Sequence, residues 1–263
     1  MKKTIVLLFI LLAVAFRSYG EQLPLPWLPK VVKLRYEAIN KSNGEKLWKE
    51  NYTLSTGLQG ERKYLLINVK GKGKFAGSDT STRWEVNSYY YIDPSVRPCY
   101  SKKQIYSLAG MPLVTETFYY EPDSRKVYFN HENHLTGQVR GKTLNWYNDM
   151  VDRYGYPLVL LSYPFAERRE VKFHYISDDP KIYSFIFSYA GLEKVVVPAG
   201  SFPAHKIKLM VDLGLLNLMQ GFLPNNYYYI SDTDPKIFLK YDGLEAGLGT
   251  PAVEIKLLEY PEY

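Results

Sequence analysis

The chain has 263 residues, 46% hydrophobic and 16% aromatic, enough for one large domain with its own core. Its formal charge of +6 is spread over bases interleaved with acids rather than gathered in a stripe, which argues against nucleic-acid binding. The single cysteine, Cys99, excludes an internal disulfide, so the core must hold the fold unaided.

The first residues read as a secretory signal over 1–20. Lys2-Lys3 precedes an uncharged apolar run from Thr4 to Phe16, followed by Ser18-Tyr19-Gly20 with small residues at the −3 and −1 positions. The run counts about 13 residues, short of the roughly 20 that a membrane-spanning helix needs. Cleavage after Gly20 is expected, leaving a periplasmic or secreted chain with no transmembrane helix. It also removes Lys2, Lys3 and Arg17, taking the formal charge from +6 to +3. No cysteine stands directly after Gly20, so nothing in the sequence supports lipid attachment. Residues 21–29 carry three prolines and form an extended lead-in. Residues 30–263 are expected to form a single β-rich domain.

From Lys30 onward the pattern is strand after strand. Val32, Leu34, Tyr36 and Ala38 alternate with Lys33, Arg35 and Glu37, the mark of a half-buried strand with its charges on the outer face. Asn43-Gly44 signals a hairpin. Further strands are read at 46–54 and 63–69, with Gly71, Gly73 and Gly77 breaking the second and Lys70–Lys74 as a solvated hairpin end. Others follow at 83–92, 103–107, 114–121 and 126–131. Many short strands punctuated by Gly, Pro and Asn-Gly predict a mainly β fold, a strongly curved antiparallel sheet or incomplete barrel.

One stretch departs from this rhythm. Leu144, Tyr147, Met150, Val151 and Tyr154 recur at helical spacing, with Thr143 or Asn145 as N-cap and Gly155 and Pro157 to stop or bend the helix. Leu158–Leu161 is apolar on every side. The spacing predicts one amphipathic helix over 144–161, covering the sheet. Residues 119–129, 175–185 and 229–240 share a plan of aromatic strand, Asp/Pro turn, basic residue and second strand, read as repeated hairpins whose acids cap their own turns.

The search for catalytic chemistry yields shape instead. In EKVVVPAGSFPAHKIKLM, residues 193–210, Ser201 and His205 lie four apart without a nucleophile elbow or a nearby acid, so Pro198-Ala199-Gly200 reads as a structural corner. His131 and His134 lack a third ligand and a helix, and read as part of a surface loop. Asp178-Asp179 and Asp232/Asp234 precede prolines and read as turn caps rather than glycosidase acids. No metal and no cofactor is expected. The apolar segment 213–224 is a core plug, a sheet crossover or the cover of a cavity. Candidate ligand contacts are therefore Tyr154, Leu158, Leu160, Leu215, Leu218, Met219 and Phe222.

The stretch YSFIFSYAGLEKVVVPAGSFPAHKIKL, with the later YYYISDTDPKIFLKYDG, resembles the signature half of exported bacterial proteins of domain-of-unknown-function family 3108. The shared plan places a strand ending at Glu193, the Val197–Phe202 corner, the Lys206–Leu209 strand and a late strand ending at Lys240-Tyr241. The resemblance covers roughly residues 145–258. It implies a curved sheet similar in shape to envelope lipoprotein carriers, with a helix near 149–161 and no catalytic residues to carry over. The leading expectation is a non-enzymatic periplasmic protein that binds or carries an apolar ligand such as a lipid. A structural or partner-binding module of the cell envelope is the alternative, and a hydrolase using Ser201, His205 or the His131/His134 pair comes third.

Overall fold

The computed structural model describes residues 31–60, 62–75, 78–92, 96–212 and 224–259. The leader, the lead-in and residues 213–223 lie outside them. The strands are β1 (Val31–Asn40), β2 (Lys46–Gln59), β3 (Arg62–Gly73), β4 (Thr82–Tyr91), β5 (Arg97–Tyr106), β6 (Pro112–Glu121), β7 (Lys126–Asn133), β8 (Gln138–Asn145) and β9 (Met150–Asp152). One short helix, α1 (Tyr156–Leu161), precedes β10 (Val171–Ile176), β11 (Ile182–Val197) and β12 (Gly200–Val211). β13 (Asn226–Ser231), β14 (Phe238–Leu244) and β15 (Ala252–Leu257) complete the order.

All fifteen strands belong to one sheet, ordered β8-β7-β6-β5-β4-β3-β2-β1-β15-β14-β13-β12-β11-β10-β9. Two meanders, β1–β8 and β10–β15, are joined where the first strand pairs with the last, Tyr36 opposite Leu257 and Asn40 opposite Val253. Pairing is antiparallel everywhere except between β9 and β10. The sheet is open, with β8 and β9 as its edges, yet it curls until the edge β9 meets β5. Phe118, Tyr120, Val127 and Phe129 of β6 and β7 pack there against Trp146, Met150 and Ile176. The mainly β, curved and unclosed architecture agrees with the sequence reading.

The corner at 198–199 has the folding task expected of it. Val197 pairs with Gly200 across a two-residue turn, and Val195 and Val197 are buried. Gly200 has φ +139°, and a Cβ there would stand 3.2 Å from the Phe202 ring. The turn therefore calls for glycine.

The predicted helix over 144–161 is corrected. Leu144 lies in β8, where it pairs with Val127, and Met150 and Val151 lie in β9. Only Tyr156–Leu161 is helical, with Pro157 in its first turn, where a missing N–H costs nothing. The misleading periodicity has a physical source. β9 is covered on both faces, so Met150, Val151 and Asp152 are all buried, and a strand sandwiched in this way loses its two-residue alternation. Leu158 and Leu160 of α1 pack on side chains from both meanders, so the sheet wraps around the helix.

Three smaller readings also change. Glu37 is not on a solvated face: its carboxylate is buried and lies 3.2 Å from both Lys46 and Lys49. Burial pushes its pKa up, but the two ammonium groups outweigh that and hold it below the usual range. Lys70–Gly73 continue β3 rather than breaking it off, and Gly71 makes room for the Trp84 indole, which lies 2.0 Å from where a Cβ would stand. His131 sits inside β7 rather than in a loop, and His134 follows directly after the strand.

Candidate functional site

Between β1–β3, α1 and the β13–β14 connection lies a cavity of about 500 Å³, within the roughly 300–1,000 Å³ usual for small-molecule sites. Period-two alternation builds its first wall. Val32, Leu34 and Tyr36 of β1 face inward, directly opposite Leu54, Tyr52 and Glu50 of β2. Ile67 of β3 and Ile255 of β15 extend this surface. Tyr154, Tyr156 and Leu158 form the facing wall, and Asp234–Phe238 close one side.

Four charged side chains line this apolar space: Asp234 and Lys236 on the closing side, and Glu50 and Arg153. Glu50 takes a position that alternation reserves for an apolar residue, and it is only 2% exposed. Its oxygens accept hydrogen bonds from Trp84 Nε1 at 2.8 Å and Tyr52 Oη at 2.9 Å. Opposite it is Arg153, the residue after β9. The guanidinium lies 4.2 Å from the centre of the Phe75 ring. Burial opposes its charge, but Asp178, Tyr154 and Glu50 more than compensate and keep it protonated.

The segment carrying Arg153 is fixed by Asp152, which is 4% exposed. Its Oδ1 accepts the backbone N–H of Tyr154 at 3.0 Å and of Gly155 at 2.8 Å, together with the Tyr90 hydroxyl. Tyr120 Oη reaches Oδ2 at 3.5 Å. Burial raises the Asp152 pKa against these donors, which pull it down. Behind Arg153, Lys103 Nζ donates to Asp178 at 2.7 Å and lies 3.5 Å from Glu116. Burial works against both charges of the Lys103–Asp178 pair. Their mutual attraction prevails, so the lysine titrates above and the aspartate below its usual range. Asp178 is thus an ion-pair partner rather than a turn cap, whereas Asp179 does bind within its turn, to Ser177 Oγ at 2.6 Å.

Of the residues expected to contact a ligand, Tyr154 and Leu158 stand on the cavity wall. Leu160 is fully buried in the neighbouring core without lining the cavity. Leu215, Leu218, Met219 and Phe222 lie outside the described residues. The sequence reading missed Glu50, Tyr52, Arg153 and Tyr156. For Glu50 the signal was a lone carboxylate at an even position in an otherwise apolar strand face. Arg153 gave none, because its setting depends on the long-range contacts of Asp152.

The weaker chemical candidates are dispersed. Ser201 is exposed and about 13 Å along an extended strand from His205. His205 is stacked on Phe165 at 4.2 Å, with Nε2 2.7 Å from Asp232 and Nδ1 3.5 Å from the Tyr189 hydroxyl. His131 reaches Glu116 at 3.4 Å, while His134 bonds Thr115 at 2.9 Å. Among the described residues no three His, Cys, Asp or Glu side chains gather as a ligand set for a metal.

No known family profile matches the chain, family 3108 included, and no curated protein matches it. Two solved structures are similar to it in outline. One is a protein described as exported, with a YMCC-like fold, from Bacteroides fragilis; it shows 8% identity, a TM-score of 0.36, and coverage of 92% of this chain and 100% of that one. The other, described as a lipoprotein from Parabacteroides distasonis, shows 9% identity, a TM-score of 0.32, and coverage of 90% and 98% respectively.

Proposed function

We propose that this protein is a non-enzymatic binding protein of the bacterial cell envelope, periplasmic or secreted, that holds an apolar ligand such as a lipid. The cavity carries this reading: about 500 Å³ enclosed by Val32, Leu34, Leu54, Ile67, Leu158 and Ile255. Apolar walls of this extent favour an apolar occupant over water, at about 25 cal/mol per Å² removed from solvent. Among the described residues no helix is long and apolar enough to cross a membrane. The leader pattern at 1–20 supports delivery to the envelope.

Mass spectrometry of an organic extract of gently purified protein tests the reading, with a stoichiometric lipid as the expected result. Leu54→Trp, which pushes a larger side chain into the cavity, should lower that signal and leave the circular dichroism unchanged. A protein free of lipid that also takes up none from vesicles would overturn the proposal.

A second reading, a partner-binding module of the envelope, draws support from β8. That edge strand pairs with β7 alone, and its residues 138–143 are exposed, Val139 by 61%. Such an edge can accept a further strand. Crosslinking from Val139 in the periplasm would capture a lasting neighbour on this reading and none on the first.

A further inference from the structure

Arg153 stands apart from the other charges around the cavity. Glu50 has Trp84 and Tyr52, Asp152 has two backbone N–H groups and Tyr90, and Asp178 has Lys103. The Arg153 guanidinium lines the cavity and, among the described residues, makes no hydrogen bond or ion pair. It carries five N–H donors in a planar fork, and donors facing an apolar chamber are costly to leave unmet. The Phe75 ring lies 4.2 Å from the guanidinium carbon and supports it by a cation–π contact. The hydroxyls of Tyr52, Tyr154, Tyr156 and Tyr175 all lie within the electrostatic reach of the cation. Asp178 and Glu50, the carboxylates whose charges act on it, already have donors of their own, so the fork is available to an acceptor entering through the cavity.

Resting on the reading that the cavity holds an apolar ligand, we propose that the ligand is an amphiphile. Its oxyanion head, a carboxylate or a phosphate, seats on the fork of Arg153, and its acyl chain lies along Leu34, Leu54, Ile67 and Leu158. A neutral apolar molecule would leave the donors unmet, and a cationic head would meet the guanidinium. The planar fork matches two oxygens of one oxyanion at once. On the closing side of the cavity, Lys236 lies 3.8 Å from Asp232 and 3.9 Å from Asp234, so it is already paired and offers no competing cation.

The test titrates the folded, leader-free chain with dodecanoate, dodecyl phosphate, dodecanol and inorganic phosphate. Emission from Trp48, which is on the cavity wall, reports occupancy. At least one anionic amphiphile should bind about tenfold or more tightly than dodecanol, the worth of a charge-assisted hydrogen-bond pair. Arg153→Gln should erase that preference and leave dodecanol within about threefold of its wild-type affinity. The better of the two anions identifies the head group. Equal wild-type affinities for acid and alcohol, or a preference that survives in Arg153→Gln, would overturn the amphiphile while leaving the cavity reading intact. Inorganic phosphate binding as tightly as dodecyl phosphate would likewise replace it with a free-anion site. Failure of every amphiphile to bind would overturn the cavity reading itself. Should Arg153→Gln not fold, the wild-type ratio of acid to alcohol decides alone.

Discussion

Asp152 joins the sheet edge β9 to β4 and to the loop that carries Arg153, so its replacement measures how much that side-chain seam contributes. In Asp152→Ala, the Tyr154 N–H and the Tyr90 hydroxyl lose their acceptor, while the Gly155 N–H keeps the backbone carbonyl of residue 152 at 3.2 Å. Each of these two orphaned buried groups costs about 1–3 kcal/mol, and allowing for partial relaxation the loss should be about 3 kcal/mol. Asp152→Asn keeps an oxygen where Oδ1 stands and gives up the charge and the long Tyr120 contact at Oδ2, so its cost should be about 1 kcal/mol. Urea unfolding followed by tryptophan emission reads both variants, with an unchanged slope confirming the comparison. The pH dependence carries a sign. Burial raises the folded-state pKa of Asp152, so the folded chain binds this proton more tightly than the unfolded chain. The resulting stabilisation is fully present below the unfolded pKa of about 4 and is lost as pH rises through the folded value. The advantage of wild type over Asp152→Asn should therefore shrink with rising pH. An Ala variant within about 1 kcal/mol of wild type, or a gap to Asn that widens with pH, would refute the account.

The remaining predictions use other parts of the sheet. Asp178→Asn should destabilise by about 2 kcal/mol, less than a fully buried pair would lose because the aspartate is a third exposed. Its depressed pKa means that the wild-type contribution is present above the unfolded carboxylate pKa and lost as pH falls through the folded one, measurable by acid titration of unfolding. Gly71→Ala drives a methyl into the Trp84 indole and should cost about 1–3 kcal/mol with a shifted emission maximum; an unshifted spectrum at full stability would contradict the close approach. The half-buried Cys99 thiol donates to the Tyr89 carbonyl at 3.3 Å, and burial pushes its pKa up to about 11. Alkylation by iodoacetamide at neutral pH should therefore be slow until the chain unfolds, as mass spectrometry would record.

What the sequence revealed follows from how local each cause is. Val32, Leu34 and Tyr36 announced β1 because over residues 31–36 one face of that strand meets the core and the other meets water, and Gly44 announced its turn through a left-handed φ of +74°. The corner at Gly200 was legible for the same reason, since both strands that it joins are adjacent in the chain. β9 was not legible. Its burial comes from β5, β6 and β7 on one side and from the main core on the other, and none of these neighbours leaves a mark in residues 144–154. Glu50 and Asp152 look like surface carboxylates in sequence because their donors, Trp84 and Tyr90, arrive from 34 and 62 residues away. Buried polar networks of this kind are set by topology, so composition and spacing do not show them.

The topology also decides when the cavity can exist. Its first wall is built from β1 and β2, a local hairpin, but Ile255 comes from β15 and Phe238 from β14. These surfaces meet only after β1 and β15, separated by most of the chain, have paired along Tyr36–Asn40. Contacts so distant in sequence bear the largest loop-closure cost and form late. A ligand that binds the closed cavity and not the open meanders stabilises that closure by RT ln(1 + [L]/Kd), about 2.7 kcal/mol at a hundredfold excess over Kd. Bound ligand should thus slow hydrogen exchange most strongly at the β1–β15 ladder and least at β7–β8, which does not touch the cavity. Uniform protection across the sheet would place the ligand elsewhere.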